Sequence, residues 1–240
     1  MQETKGKHGR GAVISTAAAV LLIPLTIAAG RFFPGSRKYY IISLLIILYL
    51  MLPFFAAFES RKPQPRELVI IAVMCAVAIG GRLAFFWLPQ FKPMTAVVIL
   101  SGIAFGGQTG FLTGAVTAFV SNFYFGQGPW TPWQMFALGL TGLISGLILK
   151  RDYVPRRTLS VIPALYGAAA TLIIYGGIVN PGSLLIAAGE ITPQALLAAY
   201  AAGLPMDLVH AAATFFFLLI GAKPILKILC RVKTKYGLFA

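Results

Sequence analysis

The chain has 240 residues, of which 58% are hydrophobic and only 11% charged, with 20 Lys and Arg against 6 Asp and Glu for a net charge of +14. Soluble domains carry about 25% charged residues, so this composition belongs to a helical integral membrane protein. The basic excess sits in short clusters beside apolar runs, which is the pattern of membrane flanks and not of a nucleic-acid surface.

Charge-free runs set the predicted helices. Residues 1–11 are basic, with Lys5, Lys7 and Arg10, and precede an apolar helix predicted over 12–30. That stretch is too long for an ordinary signal-peptide core and reads as a retained helix. A second helix is predicted over 39–58, and residues 1–58 form an N-terminal extension. The remaining part, 59–240, contains predicted helices over 67–87, 94–106, 109–123, 134–149, 160–178 and 205–222. Residues 94–123 are too long for one crossing and short for two, because thirty residues of helix measure about 45 Å against a hydrocarbon core about 30 Å thick. Gly106-Gly107-Gln108-Thr109-Gly110 reads as a tight turn that splits them into two helices.

The distribution of basic residues supports the same division. With two crossings there, Arg61, Lys62 and Arg66 lie on one side with Lys150, Arg151, Arg156 and Arg157, and with Lys223, Lys227, Arg231, Lys233 and Lys235. That side is the cytoplasm. With one crossing the bias would reverse. Arg31, Arg37 and Lys38 then fall outside, against the rule, so the two leading helices fit it less well. The fold expected is an all-α integral membrane bundle of six helices preceded by two extra transmembrane helices, with a cytoplasmic C-terminus.

Three segments share the outer face: 82–93, 121–135 and 179–206. The second, "SNFYFGQGPWTPWQM", packs five aromatic rings, one Asn and two Gln between apolar runs. Rings at a membrane boundary anchor helices; amides beside rings are also what an apolar pocket uses to orient a ligand. Candidate ligand residues are therefore Arg82, Phe86, Trp87 and Lys92 in the first segment, and Asn122, Phe123, Gln127, Trp130, Trp133 and Gln134 in the second. Arg82 has a second reading, a side chain snorkelling to the interface. Asp207 and His210, three apart on one face of the last helix, are either ligand groups or a helix-start Asp after Pro205 bonded to its neighbour. Gly106, Gly110, Gly114 and Ala118, with Gly142 and Gly146 in the next span, form small-residue faces that let helices approach closely.

Catalytic templates are missing. The sequence has no zinc-protease, nucleophile-elbow or phosphate-loop motif, and its two histidines and six acids form no acid–base pair. Cys75 and Cys230 suggest neither a disulfide nor a metal site. The chain reads as a binding or conducting protein with no motor, metal or cofactor of its own.

The stretches "LAFFWLPQFKP" (83–93), "SNFYFGQGPWTPWQMFALGLTG" (121–142) and "GLPMDLVHAAAT" (203–214), with an Ala-x-x-x-Ala on the first core helix, resemble the substrate-binding S components of energy-coupling factor (ECF) vitamin transporters. The resemblance covers about residues 66–237, and 121–142 looks like the branch that includes cobalamin transporters. It implies capture of a vitamin outside and docking to a coupling membrane subunit with two ATP-hydrolysing subunits. Ala72 and Ala76 would be the docking alanines, their small side chains leaving a smooth helix face. Uncharged amides suit a corrinoid such as cobalamin as the ligand, with other vitamins as the alternative; outside the family, an unrelated transporter or channel is the rival.

Overall fold

A computed structural model of the chain describes residues 38–60, 63–149, 160–189 and 191–238, together with scattered helical positions between 18 and 29. The helix expected over 12–30 lies largely outside the described residues, as do Arg61, Lys62 and the basic loop Lys150–Arg157. All described secondary structure is helical. In chain order the helices are α1 (Lys38–Ser60), α2 (Pro65–Ala84), α3 (Met94–Phe105), α4 (Gly107–Phe125), α5 (Thr131–Ile148), α6 (Val161–Ala170), a π-helical turn (Thr171–Gly176), α7 (Gly177–Ala188) and α8 (Pro193–Tyr236). Since α6, the π turn and α7 run on continuously, the part after residue 60 is a six-helix bundle.

Helix ends follow local chemistry. Pro65 opens α2, where a missing N–H costs nothing. Glu67 in its first turn and Arg82 in its last complement the helix dipole. Thr192 caps α8 by accepting from the Ala195 N–H at 3.2 Å, and Gly237 ends it in the left-handed conformation at φ 58°. Among the described residues four helical stretches are long and apolar enough to cross a membrane: Ile41–Glu59, Pro65–Ala84, Val161–Ala188 and Pro193–Tyr236.

The turn expected at 106–110 contracts to one residue. Gly106, at φ 100°, separates α3 from α4, and the hydroxyls of Ser101 and Thr113 meet at 2.9 Å across the reversal. All twelve residues of α3 are buried, so this short helix is the centre of the bundle. The glycines pack as the small-residue pattern requires. A Cβ on Gly110 would lie 2.3 Å from the Gly142 carbonyl oxygen, one on Gly114 2.5 Å from that of Leu138, and one on Gly146 2.4 Å from the Gly107 nitrogen. α4 and α5 therefore run antiparallel with backbones in contact. On the far side of this pair Phe54 of α1 stacks on Phe111, with ring centroids 4.2 Å apart.

Two expected boundaries are corrected. The fifth span does not stop at 178 but continues to Ala188, and the last starts at Pro193, not 205, so most of the segment expected between them is helical. Pro181, Pro205 and Pro224 all lie inside helices. Proline is tolerated there because surrounding helices and local π-type adjustments re-satisfy the freed carbonyls, so it is a poor helix boundary in such a chain. At 44 residues, α8 is about 66 Å long, longer than the hydrocarbon core, and its last turns, about four of them, carry the basic cluster.

Candidate functional site

The site assembles where α2 and α4 end and α5 begins. Arg82, in the last turn of α2, donates from Nη1 to Asn122 Oδ1 at 2.9 Å and to Ser121 Oγ. Its guanidinium lies over the Phe125 ring, 4.1 Å from the centroid, and Lys92 Nζ approaches the same ring at 5.3 Å. Burial first, and the Arg82 charge second, hold the Lys92 ammonium below the usual lysine range. Asn122 is almost fully buried, with 1% of its surface exposed. Because a guanidinium can only donate, Asn122 must turn its oxygen to Arg82 and its nitrogen away. Nδ2 then donates to Gln134 Oε1 at 2.8 Å and to Thr131 Oγ1 at 3.1 Å. Thr131 Oγ1 in turn donates to Gln127 Oε1 at 2.9 Å, and Gln127 Nε2 donates to the Phe119 carbonyl at 2.8 Å.

Beside this relay lies a cavity of about 460 Å³, lined by residues of one loop and four helical elements. The 85–93 loop supplies Gln90; the start of α5 and the turn before it supply Gln134 and Trp130. The π turn contributes Tyr175, α7 Asn180 and Ser183, and α8 Met206, Asp207 and His210. This size suits one small organic ligand. Asp207 Oδ2 accepts from Asn180 Nδ2 at 2.7 Å. His210 Nε2 meets Thr95 Oγ1 at 2.7 Å, and its ring sits edge-on to Tyr175 with centroids 5.0 Å apart. Asp207 therefore neither starts a helix nor bonds to His210. It sits about four turns into α8 and reaches across to α7, so the helix-start reading is corrected.

The expected residues divide into three groups. Trp130, Gln134, Asp207 and His210 line the cavity. Arg82, Lys92, Asn122 and Gln127 stand behind that wall, in or beside the hydrogen-bond relay. The third group faces elsewhere. Phe86, Trp87 and Phe123 are 52%, 78% and 69% exposed, and Phe86 and Phe123 make ring contacts with Tyr124 and Phe119. Trp133 is buried in an apolar cluster with Phe111 and Leu185, pressed so closely on Gly182 that a Cβ there would come within 2.6 Å of the ring. It fastens α5 to α7 and is not part of the lining. Ala72 and Ala76 lie on the exposed face of α2 with Val69, Val73, Val77 and Gly80. Among the described residues α1 packs mainly on α4, α5 and α7 and meets α2 where Phe58 joins Ile71 and Cys75.

Sequence reading missed Gln90, Tyr175, Asn180 and Ser183. An amide at 180 inside an apolar span was a usable signal. Gln90 offered less: its backbone is left-handed, at φ 55°, a conformation uncommon outside glycine and often found at binding sites. Among the described residues no group of three or more His, Cys, Asp or Glu is placed to hold a metal ion.

A family profile described as "ECF-type riboflavin transporter, S component" matches residues 62–231. Curated relatives include a UPF0397 protein of Vibrio atlanticus, 28% identical over 46% of this chain and 66% of its own length. A UPF0397 protein of Aliivibrio fischeri is 33% identical over 34% of this chain and 47% of its own length. The chain thus spans between about half and two thirds of these relatives. No solved structure matches it. The profile covers well over half of the chain and coincides with the six-helix bundle and its cavity, and on that ground the chain belongs to the family of ECF-type riboflavin transporter S components, membrane transport proteins and not enzymes.

Proposed function

We propose that this chain is the substrate-binding membrane subunit of an ECF-type importer and that its ligand is a small ring-bearing vitamin of flavin size. The observation that carries the reading is the cavity of about 460 Å³ at one end of the bundle, with Trp130 and Tyr175 as ring surface and Gln90, Gln134, Asn180 and Asp207 as polar groups. An apolar pocket with a few fixed polar groups is the usual form of a vitamin site. The family's description names riboflavin, which makes it the first ligand to test.

The cavity opens outward and the basic end of α8 faces the cytoplasm. Lys223 to Lys235 lie about 24 to 42 Å along the helix from Asp207, and the K/R excess belongs inside. The chain itself offers no motor. ATP-hydrolysing partners and a coupling membrane subunit would supply one, docking on the exposed Ala72 and Ala76 face, where small side chains stand beside Val69, Val73 and Val77.

A corrinoid is the second reading, favoured by the amides of 121–135. Those amides are largely engaged with one another: Asn122 with Gln134, and Gln127 with Thr131 and the Phe119 carbonyl. A macrocycle with a nucleotide arm also needs more room than a cavity suited to one drug-sized molecule. Titration of the purified chain with riboflavin beside cobalamin, cobinamide, biotin and folate tests the assignment. Saturable riboflavin binding is expected. Binding of a corrinoid without riboflavin would overturn the substrate, and binding of none, with no co-purifying ATP-hydrolysing subunits, would overturn the importer.

A further inference from the structure

Asp207 is the one formally charged carboxylate among the residues lining the cavity, and its surroundings hold it in a fixed pose. Asn180 Nδ2 donates to Oδ2 at 2.7 Å. Two glycines close around the pair. A Cβ on Gly176 would stand 2.8 Å from Asp207 Oδ2, and one on Gly203 would stand 2.7 Å from Asn180 Oδ1. Neither glycine can gain a methyl without displacing the pair, so α7, α8 and the π turn together orient it. With one Asn180 N–H committed to Asp207, the pair still offers a ligand two acceptors, Asp207 Oδ1 and Asn180 Oδ1, beside the second Asn180 N–H.

On the opposite wall Gln134 Oε1 already accepts from Asn122, which leaves both N–H groups of Gln134 Nε2 and one Oε1 lone pair. Arg82 and Lys92 flank the same end of the site on the Phe125 ring. Two cations near one carboxylate disfavour a ligand bearing a fixed positive charge. A neutral N–H or O–H donor satisfies Asp207 without that repulsion.

We propose that Asp207, held by Asn180, is the specificity-determining acceptor of the cavity and selects ligands that present a neutral hydrogen-bond donor to it. The inference rests on the flavin-size ligand reading above. Riboflavin has such donors in two places, the imide N–H of its ring and the hydroxyls of its side chain.

The test compares riboflavin with 3-methylriboflavin, which lacks the imide donor, and with lumiflavin, which lacks the hydroxylated chain. Titrations use the purified full-length chain. Wild type should bind riboflavin about 10- to 100-fold better than one of these analogues, the size of one hydrogen bond to a charged acceptor. Asp207→Asn should weaken riboflavin by a similar factor and close most of that gap. If Asp207→Asn does not fold, Asn180→Ala carries the test: it keeps the carboxylate but frees its orientation, and the gap should shrink several-fold. A gap unchanged in the folded variant, or no gap in wild type, overturns the role of Asp207 while leaving riboflavin as the ligand. No riboflavin binding by wild type overturns the ligand reading and this inference with it.

Discussion

Gly110→Ala probes the seam on which the site is built. The new Cβ would lie 2.3 Å from the Gly142 carbonyl oxygen, 2.6 Å from the Gly142 carbonyl carbon and 2.8 Å from the Gly102 Cα. Ordinary carbon–oxygen contacts lie at about 3.3 Å or more, so the two backbones would have to part by about 1 Å. All three opposing atoms are backbone atoms of packed helices, and none can rotate away. Overpacking of this kind costs about 1–3 kcal/mol, and the immobility of the neighbours puts the cost near the upper figure. Against it stands the helix propensity gained by replacing Gly, about 1 kcal/mol. The net expectation is a loss of about 2 kcal/mol.

Gly80→Ala is the matched control. It too lies inside a helix, yet nothing lies within 4 Å of its Cβ position, so it keeps the propensity gain alone and should be neutral or stabilising. Denaturation of the purified protein in mixed detergent, followed by tryptophan fluorescence, gives both values; Trp133, buried beside Phe111, reports directly on the seam. A Gly110→Ala protein as stable as wild type or Gly80→Ala would refute the close contact of α4 and α5. Gly142→Ala, whose Cβ would stand 2.3 Å from the Gly110 carbonyl oxygen, should behave alike, and the double variant should fall short of additivity because both relieve the same contact.

Replacing Ala72 and Ala76 together with Leu should abolish uptake in cells while the purified chain still binds ligand, since both lie on the exposed face of α2 away from the cavity; lost binding would mean that the face has been misassigned. Cysteine labelling of intact cells should mark Gly128→Cys and spare Thr234→Cys, and the reverse pattern would invert the topology. Gln127→Ala should cost about 0.5–1.5 kcal/mol of stability through its bonds to Thr131 and Phe119, with ligand affinity changed little. Trp130→Ala, by contrast, removes a cavity wall and should weaken ligand binding about tenfold or more, as measured by calorimetric titration. Equal effects of the two on affinity would show that the 126–130 turn acts as one unit.

Composition and small-residue spacing made the bundle legible because bilayer thickness and backbone approach are strong constraints on sequence. The Gly110, Gly114 and Gly142, Gly146 pattern described the α4–α5 seam, and Gly106 described the reversal between α3 and α4. Helix ends in the last third were not legible. Pro205 looks like a start signal in water, yet α8 passes through it because its surroundings supply what the ring removes. At the site, residue type identified polar groups but not their partners. Gln127 and Gln134 carry the same side chain seven residues apart. One is tied into a turn and the other lines the cavity, a difference set by the register of α5 against α4.

The burial of Asn122 gives the glycine seam a functional consequence. Close approach of α4 and α5 continues to their ends, where it brings Asn122 within hydrogen-bond reach of Thr131 and Gln134. An amide pair alone could point either way, since each side chain offers both a donor and an acceptor. Arg82 removes the choice, because it can only donate and it takes the Asn122 oxygen. The direction then propagates from Arg82 through Asn122 to Gln134, whose Nε2 N–H groups are left free of this relay. On the other side one Asn180 N–H goes to Asp207, which leaves the free oxygens of that pair and a second Asn180 N–H. Under the role proposed for Asp207, Gln134 Nε2 on α5 and Asp207 Oδ1 on α8 would suit a ligand edge that carries a carbonyl beside an N–H or O–H. The cation at the end of α2 thus orients Gln134, a residue of the cavity wall, through Asn122, although its own side chain does not line the cavity.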